Sequence, residues 1–137
     1  AADLERRLAQ LERHAEAIAL RAPARLLAER DRLRRAVREL AEGAGVDEQR
    51  LAVEIALHAD RLDISEELVR FRAHVAACRQ SLAGPEAVGK QLGFLAQEML
   101  REVNTMGSKA QDAEIAREVI AMKGELERLR EQLENLE

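Results

Sequence analysis

The chain contains almost no aromatic residues: among its 137 residues there are two Phe and neither Tyr nor Trp. Sheet-built RNA-binding domains stack bases on exposed aromatic rings, so this class of nucleic-acid platform is excluded. The single cysteine, Cys78, excludes a disulfide scaffold and a cysteine-based zinc site. A membrane span needs about 18 consecutive apolar residues, and the sequence has no such run and no signal-like amino end. We therefore expect a cytoplasmic protein with no membrane partner.

The abundant residues are strong helix formers. Ala, Leu, Glu and Arg fill most positions, whereas strand-favouring residues are scarce, and this composition predicts an all-α fold. Charge is distributed unevenly: residues 21–40 carry seven Arg against three acidic residues (+4), and residues 86–137 carry 11 acidic and seven basic residues (−4). The basic stretch either faces phosphates or is a solvated helix face with intrahelical ion pairs.

Both ends of the chain carry a heptad pattern of apolar residues. In the first predicted helix, which begins near Asp3, the pattern comprises Leu4, Leu8, Leu11, Ala15, Ile18 and Ala22. In the last helix it comprises Ile115, Val119, Met122, Leu126, Leu129, Leu133 and Leu136. Such a seam needs a second helix beside it. Antiparallel pairing of the two ends within the chain is one expectation, and a seam between chains is the rival. We predict one domain over residues 1–137, an antiparallel helical bundle with long heptad-patterned helices at both ends.

Proline and glycine mark the predicted breaks. Pro23 either kinks a helix or begins the next one, so residues 1–46 are predicted to form a kinked helix or a basic helical hairpin. Residues 47–137 form the rest of the domain. Gly107 is expected to interrupt a helix, with a capping box starting at Ser108.

Four carboxylates suggest a metal site. Glu98 and Glu102 lie one turn apart on a predicted helix, and Asp112 and Glu114 follow just beyond Gly107. Two carboxylates from each helix predict a site for Mg²⁺ or Mn²⁺, since hard cations prefer oxygen ligands. Metal-bound water is a nucleophile suited to phosphodiester hydrolysis. The alternative is an ordinary solvated, salt-bridged helix face.

Cationic and polar side chains accompany these carboxylates. Arg101 and Lys109 are placed to hold a phosphate. Asn104 and Ser108 share a helix face with Arg101, because they follow it at helical spacings of three and four. Arg70 and His74 lie one turn apart on another predicted helix and form a second group of polar side chains on one face. The last pair is also compatible with a simple charged face.

Several sequence runs stand in a distinctive order. They are D-I-S-E-E at 63–67, F-L-A-Q-E-M at 94–99, R-E-V-N-T-M-G-S-K-A at 101–110, D-A-E-I at 112–115 and E-L-E-R-L-R-E-Q-L-E-N-L-E at 125–137. From about residue 47 to 137 the chain resembles the carboxy-terminal domain of the YicC/YloC family of bacterial proteins. Residues 1–46 match that family by position and helical pattern only.

The resemblance implies a metal-dependent endoribonuclease that acts on RNA and forms homo-oligomers, with a hexamer expected for the full-length protein and no small-molecule cofactor. It also implies an amino-terminal α/β domain that this chain lacks. The expected catalytic residues are Glu98, Glu102, Asp112, Glu114 and His74, of which the four carboxylates are also the expected metal ligands. The expected RNA-binding residues are Arg70, Arg101, Asn104, Ser108 and Lys109. The alternative is a non-catalytic helical module for oligomerisation and RNA docking.

Overall fold

A computed structural model of the chain describes residues 2–42, 45, 47–84 and 89–135. Within these ranges the chain forms five α-helices and no β-strand. In chain order the helices are α1 (Ala2–Ala41), α2 (Glu48–Leu62), α3 (Ser65–Ala83), α4 (Gly89–Ala110) and α5 (Ala113–Glu134). The prediction of an all-α helical bundle is therefore confirmed.

Helices α1 and α5 pair along the predicted heptad seam. The buried seam residues are Leu4, Leu8, Leu11, Ala15 and Ile18 of α1 and Ile115, Val119, Met122, Leu126, Leu129 and Leu133 of α5. Leu136, which the pattern also includes, lies outside the described residues. Of the two expectations for this seam, the structure shows the pairing within one chain.

Polar side chains flank the seam at the same seven-residue period. Arg7, His14 and Arg21 of α1 are seven residues apart, and they pair with Glu125 at 3.1 Å, Glu118 at 2.5 Å and Asp112 at 3.1 Å; Arg21 also lies 3.3 Å from Glu114. Residue numbers rise along α1 as they fall along its partner, so these pairs define an antiparallel register. Each pair covers one edge of the apolar seam and disfavours slippage by a single helical turn, because a shift of three or four residues would leave a half-buried charge without its partner.

Helices α3 and α4 complete a four-helix bundle with α1 and α5. Ion pairs of α1 with α3, such as Glu16–Arg72, and of α3 with α4 connect antiparallel neighbours. The large side chains Phe71, Met99 and Met106 are fully buried between the helices. Cys78 is buried in the same core, and burial raises the pKa of its thiol to about 11, so the thiol stays protonated near neutral pH.

The expectation that Gly107 interrupts a helix is wrong, because α4 continues through it. A Cβ added at Gly107 would lie 3.1 Å from Cγ1 of Val119, so glycine at this position lets α4 and α5 approach closely. The helix ends instead where Gln111 adopts a left-handed conformation with φ 46°. Asp112 then caps α5 with its carboxylate, and the predicted capping box at Ser108 is not formed.

Helix α1 runs without interruption through Pro23. Residues 2–41 are therefore one helix containing a proline, and this described part of the chain does not turn back at Pro23 as the hairpin alternative expects. At about 1.5 Å per residue, α1 is roughly 60 Å long, much longer than the bundle helices α3, α4 and α5. None of the described helices is both long enough and apolar enough to cross a membrane.

The carboxy-terminal part of α1 packs against α2. Arg25 donates a hydrogen bond to the carbonyl oxygen of Gln111, at 2.9 Å, where α1 passes the junction of α4 and α5. Beyond it, buried Ile55 of α2 lies beside Arg34 and Arg38 of α1. We name residues 26–41 of α1 together with α2 the α1–α2 arm. Two helices alone bury little apolar area, so polar contacts contribute to holding the arm together.

The main polar contact of the arm centres on Glu29, which is 8% exposed. Its carboxylate accepts hydrogen bonds from Arg32 at 2.6 and 3.1 Å and from Arg25 at 2.9 Å. His58 of α2 lies 3.8 Å from the same carboxylate. The hydrogen bonds from Arg32, and then from Arg25, lower the pKa of Glu29 to about 2.

The close approach at Gly107 predicts different effects for two alanine substitutions in α4. At Gly93 an added Cβ meets nothing within 4 Å, so Gly93→Ala is expected to raise the free energy of unfolding by about 0.5–1 kcal/mol. Gly107→Ala gains the same helix propensity but presses on Val119, so its gain is expected to be smaller or negative. Urea denaturation of both variants measures the difference. Equal stabilisation by the two substitutions would show that α5 can move away from α4 at Val119 without a measurable cost in stability.

The lowered pKa of Glu29 predicts a pH-dependent arm. The folded-state pKa lies below the unfolded value of about 4.3, so the charged carboxylate stabilises the arm above that value. This contribution is expected to disappear as the pH falls from about 5 to about 2. Amide hydrogen exchange of α2 in the unmodified chain and in Glu29→Gln should show a protection difference that shrinks over this range. Glu39→Gln, which changes an exposed carboxylate on the same helix, is the control.

Candidate active site

Four charged side chains meet where α3 packs on α4. Nε of Arg70 donates to both oxygens of Glu102, at 2.9 and 3.2 Å. One turn before Arg70 on α3 and two turns after Glu102 on α4, Nζ of Lys109 lies 2.8 Å from Oε2 of Glu67. Arg70 also reaches Glu67, at 4.0 Å, which joins the two pairs. We name Glu67, Arg70, Glu102 and Lys109 the α3–α4 cluster.

Helical spacing explains why these residues face each other. Glu67 and Arg70 are three residues apart on α3, and Glu102 and Lys109 are seven apart on α4, so each pair occupies one face of its helix. The two helices run antiparallel, because the lower-numbered residue of α3 meets the higher-numbered residue of α4. Both faces border the apolar stripe of the core, so the two carboxylates become buried in the α3–α4 interface when the stripes of these helices pack together.

The start of α3 adds a further negative charge beside Lys109. Asp63 precedes the helix and accepts hydrogen bonds from the hydroxyl and the backbone N–H of Ser65. These bonds hold the pKa of Asp63 below its usual value, with a smaller contribution from the charge of Lys109. The carboxylate is therefore ionised at neutral pH and contributes to the field that holds the lysine.

The cluster buries its anions and leaves its cations accessible. Glu67 and Glu102 are 2% and 6% exposed, whereas the side chains of Arg70 and Lys109 are 48% and 35% exposed. Hydrogen bonding to Glu102 raises the pKa of Arg70 above its usual value. Oε1 of Glu67 is buried and, within the described part of the chain, has no hydrogen-bond partner. The cations are accessible to solvent, and such groups bind an anionic group such as a phosphate. Exposed Glu66 also lies 3.6 Å from Arg70, and with Asp63 beside Lys109 the surroundings hold four carboxylates against two cations, so a bound phosphate competes with Glu66 for Arg70.

The structure separates the four predicted metal ligands. Glu102 is held by Arg70 in the cluster, and Glu98 is half-buried elsewhere on α4. Asp112 accepts two hydrogen bonds from Arg21, at 3.1 and 3.2 Å, and these lower its pKa. Over residues 2–42, 45, 47–84 and 89–135, no three His, Cys, Asp or Glu side chains gather as a metal site would require. The residues present therefore do not fit a four-carboxylate metal centre.

Glu114, like Asp112, pairs with Arg21 of α1. It is exposed and lies 3.3 Å from Nε of Arg21, on the side of the bundle where α1 meets α5. Both carboxylates thus serve the α1–α5 seam in this structure. A metal requirement, with either Mg²⁺ or Mn²⁺, stays a prediction.

The predicted cationic and polar residues divide in the same way. Arg70 and Lys109 belong to the cluster, and His74 is half-buried one turn after Arg70 on α3. Arg101 and Asn104 are exposed on α4. Ser108 is also exposed, and its hydroxyl donates to a backbone carbonyl of the preceding turn. These last three side chains form a solvent-facing polar surface that the cluster does not include.

Sequence reasoning did not single out Glu67 as a site residue. Its spacing to Arg70 and His74 placed it on the right face, but an acidic residue at the edge of an apolar stripe is usually solvated. Its burial depends on Lys109, which is 42 positions away in the sequence and comes close only when α3 and α4 pack. The signal that would have found it is the pair of opposite charges that each of the two neighbouring helices carries on the face bordering its apolar stripe, three residues apart on α3 and seven apart on α4.

The family model for "Endoribonuclease YicC-like, C-terminal" matches residues 18–137. This chain belongs to the YicC-like endoribonuclease family. It is 41% identical over 109 residues to the probable endoribonuclease YicC of Clostridioides difficile, covering 79% of this chain and 37% of that protein. It is 41% identical over 92 residues to the probable endoribonuclease YicC of Haemophilus influenzae, covering 67% of this chain and 32% of that protein.

The family match covers the whole candidate site. All four residues of the α3–α4 cluster lie within the matched range, as do α2 and the part of α1 that passes the α4–α5 junction. The chain spans about a third of the length of the two curated YicC relatives. The cluster is thus part of the carboxy-terminal domain that the YicC-like family shares.

Removing one partner of the Arg70–Glu102 pair is expected to destabilise the fold more than removing a surface pair. Arg70→Gln leaves a buried carboxylate without its donor, which is expected to cost about 1–3 kcal/mol. Arg72→Gln is the matched control, since Arg72 is equally exposed on the same helix but pairs with the exposed Glu16. Its expected cost is below about 1 kcal/mol.

Urea denaturation of the two arginine variants at neutral pH measures this difference. Equal losses of stability would mean that the charge of Glu102 is solvated despite its burial, and that the cluster is not a preorganised unit.

Proposed function

We propose that the protein is an endoribonuclease that hydrolyses RNA phosphodiester bonds, and that the α3–α4 cluster contacts the scissile phosphate. The observation that carries the proposal is the cluster itself: two solvent-reaching cations held by buried carboxylates within the range matched to the YicC-like family. The names of the two relatives point to the same reaction class.

In this proposal the cations bind the phosphate. Arg70 presents a planar guanidinium with donors left over from its contact with Glu102, and Lys109 supplies a point charge beside it. Both stabilise the additional negative charge that develops on the phosphoryl oxygens in the transition state. Glu67 and Glu102 are positioning residues, since they hold the cations and are themselves withdrawn from solvent.

His74 is the proposed general acid. It lies one turn from Arg70 on the same face of α3 and is half-buried, so it is not sealed from solvent. Hydrolysis breaks the bond between phosphorus and the leaving oxygen while a water oxygen forms the new bond; the water releases a proton to solvent, and the leaving oxygen takes a proton from the general acid. Histidine is the side chain best suited to donate that proton near neutral pH.

A divalent metal, Mg²⁺ or Mn²⁺, remains part of the proposal as a requirement to be measured. No step is assigned to it here, because Asp112 and Glu114 are engaged by Arg21 and Glu102 by Arg70. RNA is the proposed partner, together with further copies of the chain in a homo-oligomer for which a hexamer is the expected size. Exposed apolar residues such as Leu40, Phe94 and Ile120 are compatible with contacts between copies. A cytoplasmic location is also proposed.

The second candidate is a non-catalytic module for oligomerisation and RNA docking. The pairing of Glu102 with Arg70 favours it, because a buried, fully engaged carboxylate is a typical structural ion pair. Under this alternative the cluster fixes the packing of α3 on α4, and catalysis lies in another part of a longer protein.

RNA cleavage separates the two candidates. We expect Lys109→Gln to lower the cleavage rate by about 100-fold, as removal of one transition-state donor commonly does. Lys90→Gln, which changes an exposed lysine on the same helix, is expected to leave the rate within about twofold. Glu98→Gln and Glu102→Gln test the two carboxylates of α4. Glu131→Gln, which makes the same change at an exposed position of α5, is their control.

The assays use both this chain and the longer protein that the length of the relatives predicts, each with EDTA, Mg²⁺ or Mn²⁺. Folding of every variant is checked by circular dichroism and thermal melting. Undiminished cleavage by folded Lys109→Gln and Glu102→Gln would remove the cluster from the mechanism and leave the docking module. Equal cleavage in EDTA would contradict the metal requirement alone.

A further inference from the structure

A stripe of arginines follows one face of the α1–α2 arm. Arg30, Arg34 and Arg38 are spaced at i, i+4 and i+8 on α1, so each lies one helical turn beyond the last. At about 1.5 Å per residue, successive members are roughly 6 Å apart along the helix axis. We name these three residues the arginine stripe.

The stripe is less neutralised than the arginines nearer the bundle. Arg21 is engaged by Asp112 and Glu114, and Arg25 and Arg32 by Glu29. Arg30 lies 3.7 Å from Asp31, and its buried Nε has no hydrogen-bond partner within the described chain. Over the same described ranges, no carboxylate lies within ion-pair distance of Arg34 or Arg38. Arg34 and Arg38 are therefore the least engaged arginines of the stripe, although Glu39, Glu42 and Glu48 lie at the same end of the arm.

The stripe borders a groove between α1 and α2. Arg34 and Arg38 line a cavity of about 180 Å³ together with Glu48, Leu51 and Ile55. Only Glu48 contributes negative charge to this lining, so the two guanidinium groups dominate it. Both arginines are exposed. Their remaining donors can bind a phosphate in the bidentate geometry that guanidinium groups favour.

We propose that the arginine stripe is a second RNA-binding site, which holds the sugar-phosphate backbone of a bound RNA beyond the scissile phosphate. The inference rests on the proposed function, because it takes RNA as the polyanion. The stripe begins near the point where Arg25 meets the α4–α5 junction, and Lys109 lies at the carboxyl end of α4 beside that junction. Measured along the axis of α1, Arg34 and Arg38 lie roughly 14 and 20 Å beyond Arg25. Because they follow it by nine and thirteen residues, they lie on the opposite face of the helix, so an RNA that contacts both sites passes around α1.

The lack of aromatic side chains defines how this site works. Phe71 is fully buried, and Phe94 lies on α4, outside the arm. Without rings on which bases stack, the arm contacts phosphates and reads no base sequence. Binding at the stripe is then strongly dependent on salt, because each phosphate contact releases counterions.

The test compares two double variants that remove the same charge. In Arg34→Gln/Arg38→Gln both substitutions lie on the stripe, and in Arg13→Gln/Arg117→Gln both lie on other exposed faces of the bundle. Fluorescence anisotropy measures the affinity of each for a labelled single-stranded RNA of about 20 nucleotides, in EDTA, across a range of salt concentrations. Each phosphate contact contributes about 0.7 to the slope of log K against log salt for single strands, so the stripe variant is expected to lose about 1.4.

In fold-change terms, the salt-driven loss of affinity between roughly 50 and 200 mM should be about sevenfold smaller for the stripe variant than for the unmodified chain. The control variant is expected to keep its slope. Arg34→Lys/Arg38→Lys preserves charge but not the bidentate geometry, and is expected to bind with a near-normal slope and lower affinity. Melting temperatures confirm that all variants fold.

Equal slopes for the stripe and control variants would overturn the inference, since the effect would then come from net charge alone. It is also overturned if RNA binding is unchanged while the oligomeric state of the stripe variant changes, which would make the stripe a protein interface. Cleavage assays keep this outcome separate from the proposed function. RNA that binds through the stripe without being cleaved contradicts the nuclease proposal only, and cleavage with an unchanged slope contradicts the stripe only.

Discussion

The antiparallel seam between α1 and α5 is the interaction on which the rest of the structure depends. It joins the two ends of the chain, and the helices between them, α3 and α4, then close the bundle. Its apolar residues exclude water, while the flanking pairs Arg7–Glu125, His14–Glu118 and Arg21–Asp112 define which turn of one helix meets which turn of the other. Because Asp112 also caps α5, the same contact sets the angle at which α4 turns into α5. The position of Lys109, just before that turn, is therefore determined from the opposite side of the bundle.

The α3–α4 cluster shows how a small helical bundle holds charge within its core. Burial of an isolated carboxylate is strongly unfavourable, so Glu67 and Glu102 enter the seam only with their cationic partners. The reverse also holds: because the anions are buried, Arg70 and Lys109 lose much of the side-chain freedom that surface cations keep. A pair of cations restrained in this way needs little reorganisation when an anion arrives, which is the property that transition-state stabilisation requires. The YicC-like family match places this arrangement within a shared domain.

Features with a regular period were predictable from the sequence, and those that depend on long-range pairing were not. Composition predicted the all-α fold, and the heptads predicted that each terminal helix packs against another helix, because a repeat of seven specifies one apolar face. Whether the partner lies in the same chain was left open, since the repeat does not identify the helix that covers it. Gly107 was misread as a break, since a glycine needed for close helix contact has the same letter as one that ends a helix. Glu102, Asp112 and Glu114 were grouped by their closeness in sequence, yet Glu102 is engaged by Arg70 of α3 and the other two by Arg21 of α1. The resemblance to a known family supplied the function, which composition and spacing did not.

Helix α1 belongs to both parts of the molecule, and its mechanical role follows from Pro23. The proline ring removes one backbone hydrogen bond near the point where α1 leaves the bundle, so resistance to bending is lowest there. A force on the far end of the arm acts roughly 25 Å from Pro23 along the helix axis, and it tends to bend α1 at that proline. The contacts of Arg21 and Arg25 with the α4–α5 turn lie beside the fulcrum. A change in the direction of the outer half of α1 is therefore transmitted, through Arg21 and Arg25, to the α4–α5 turn next to Lys109.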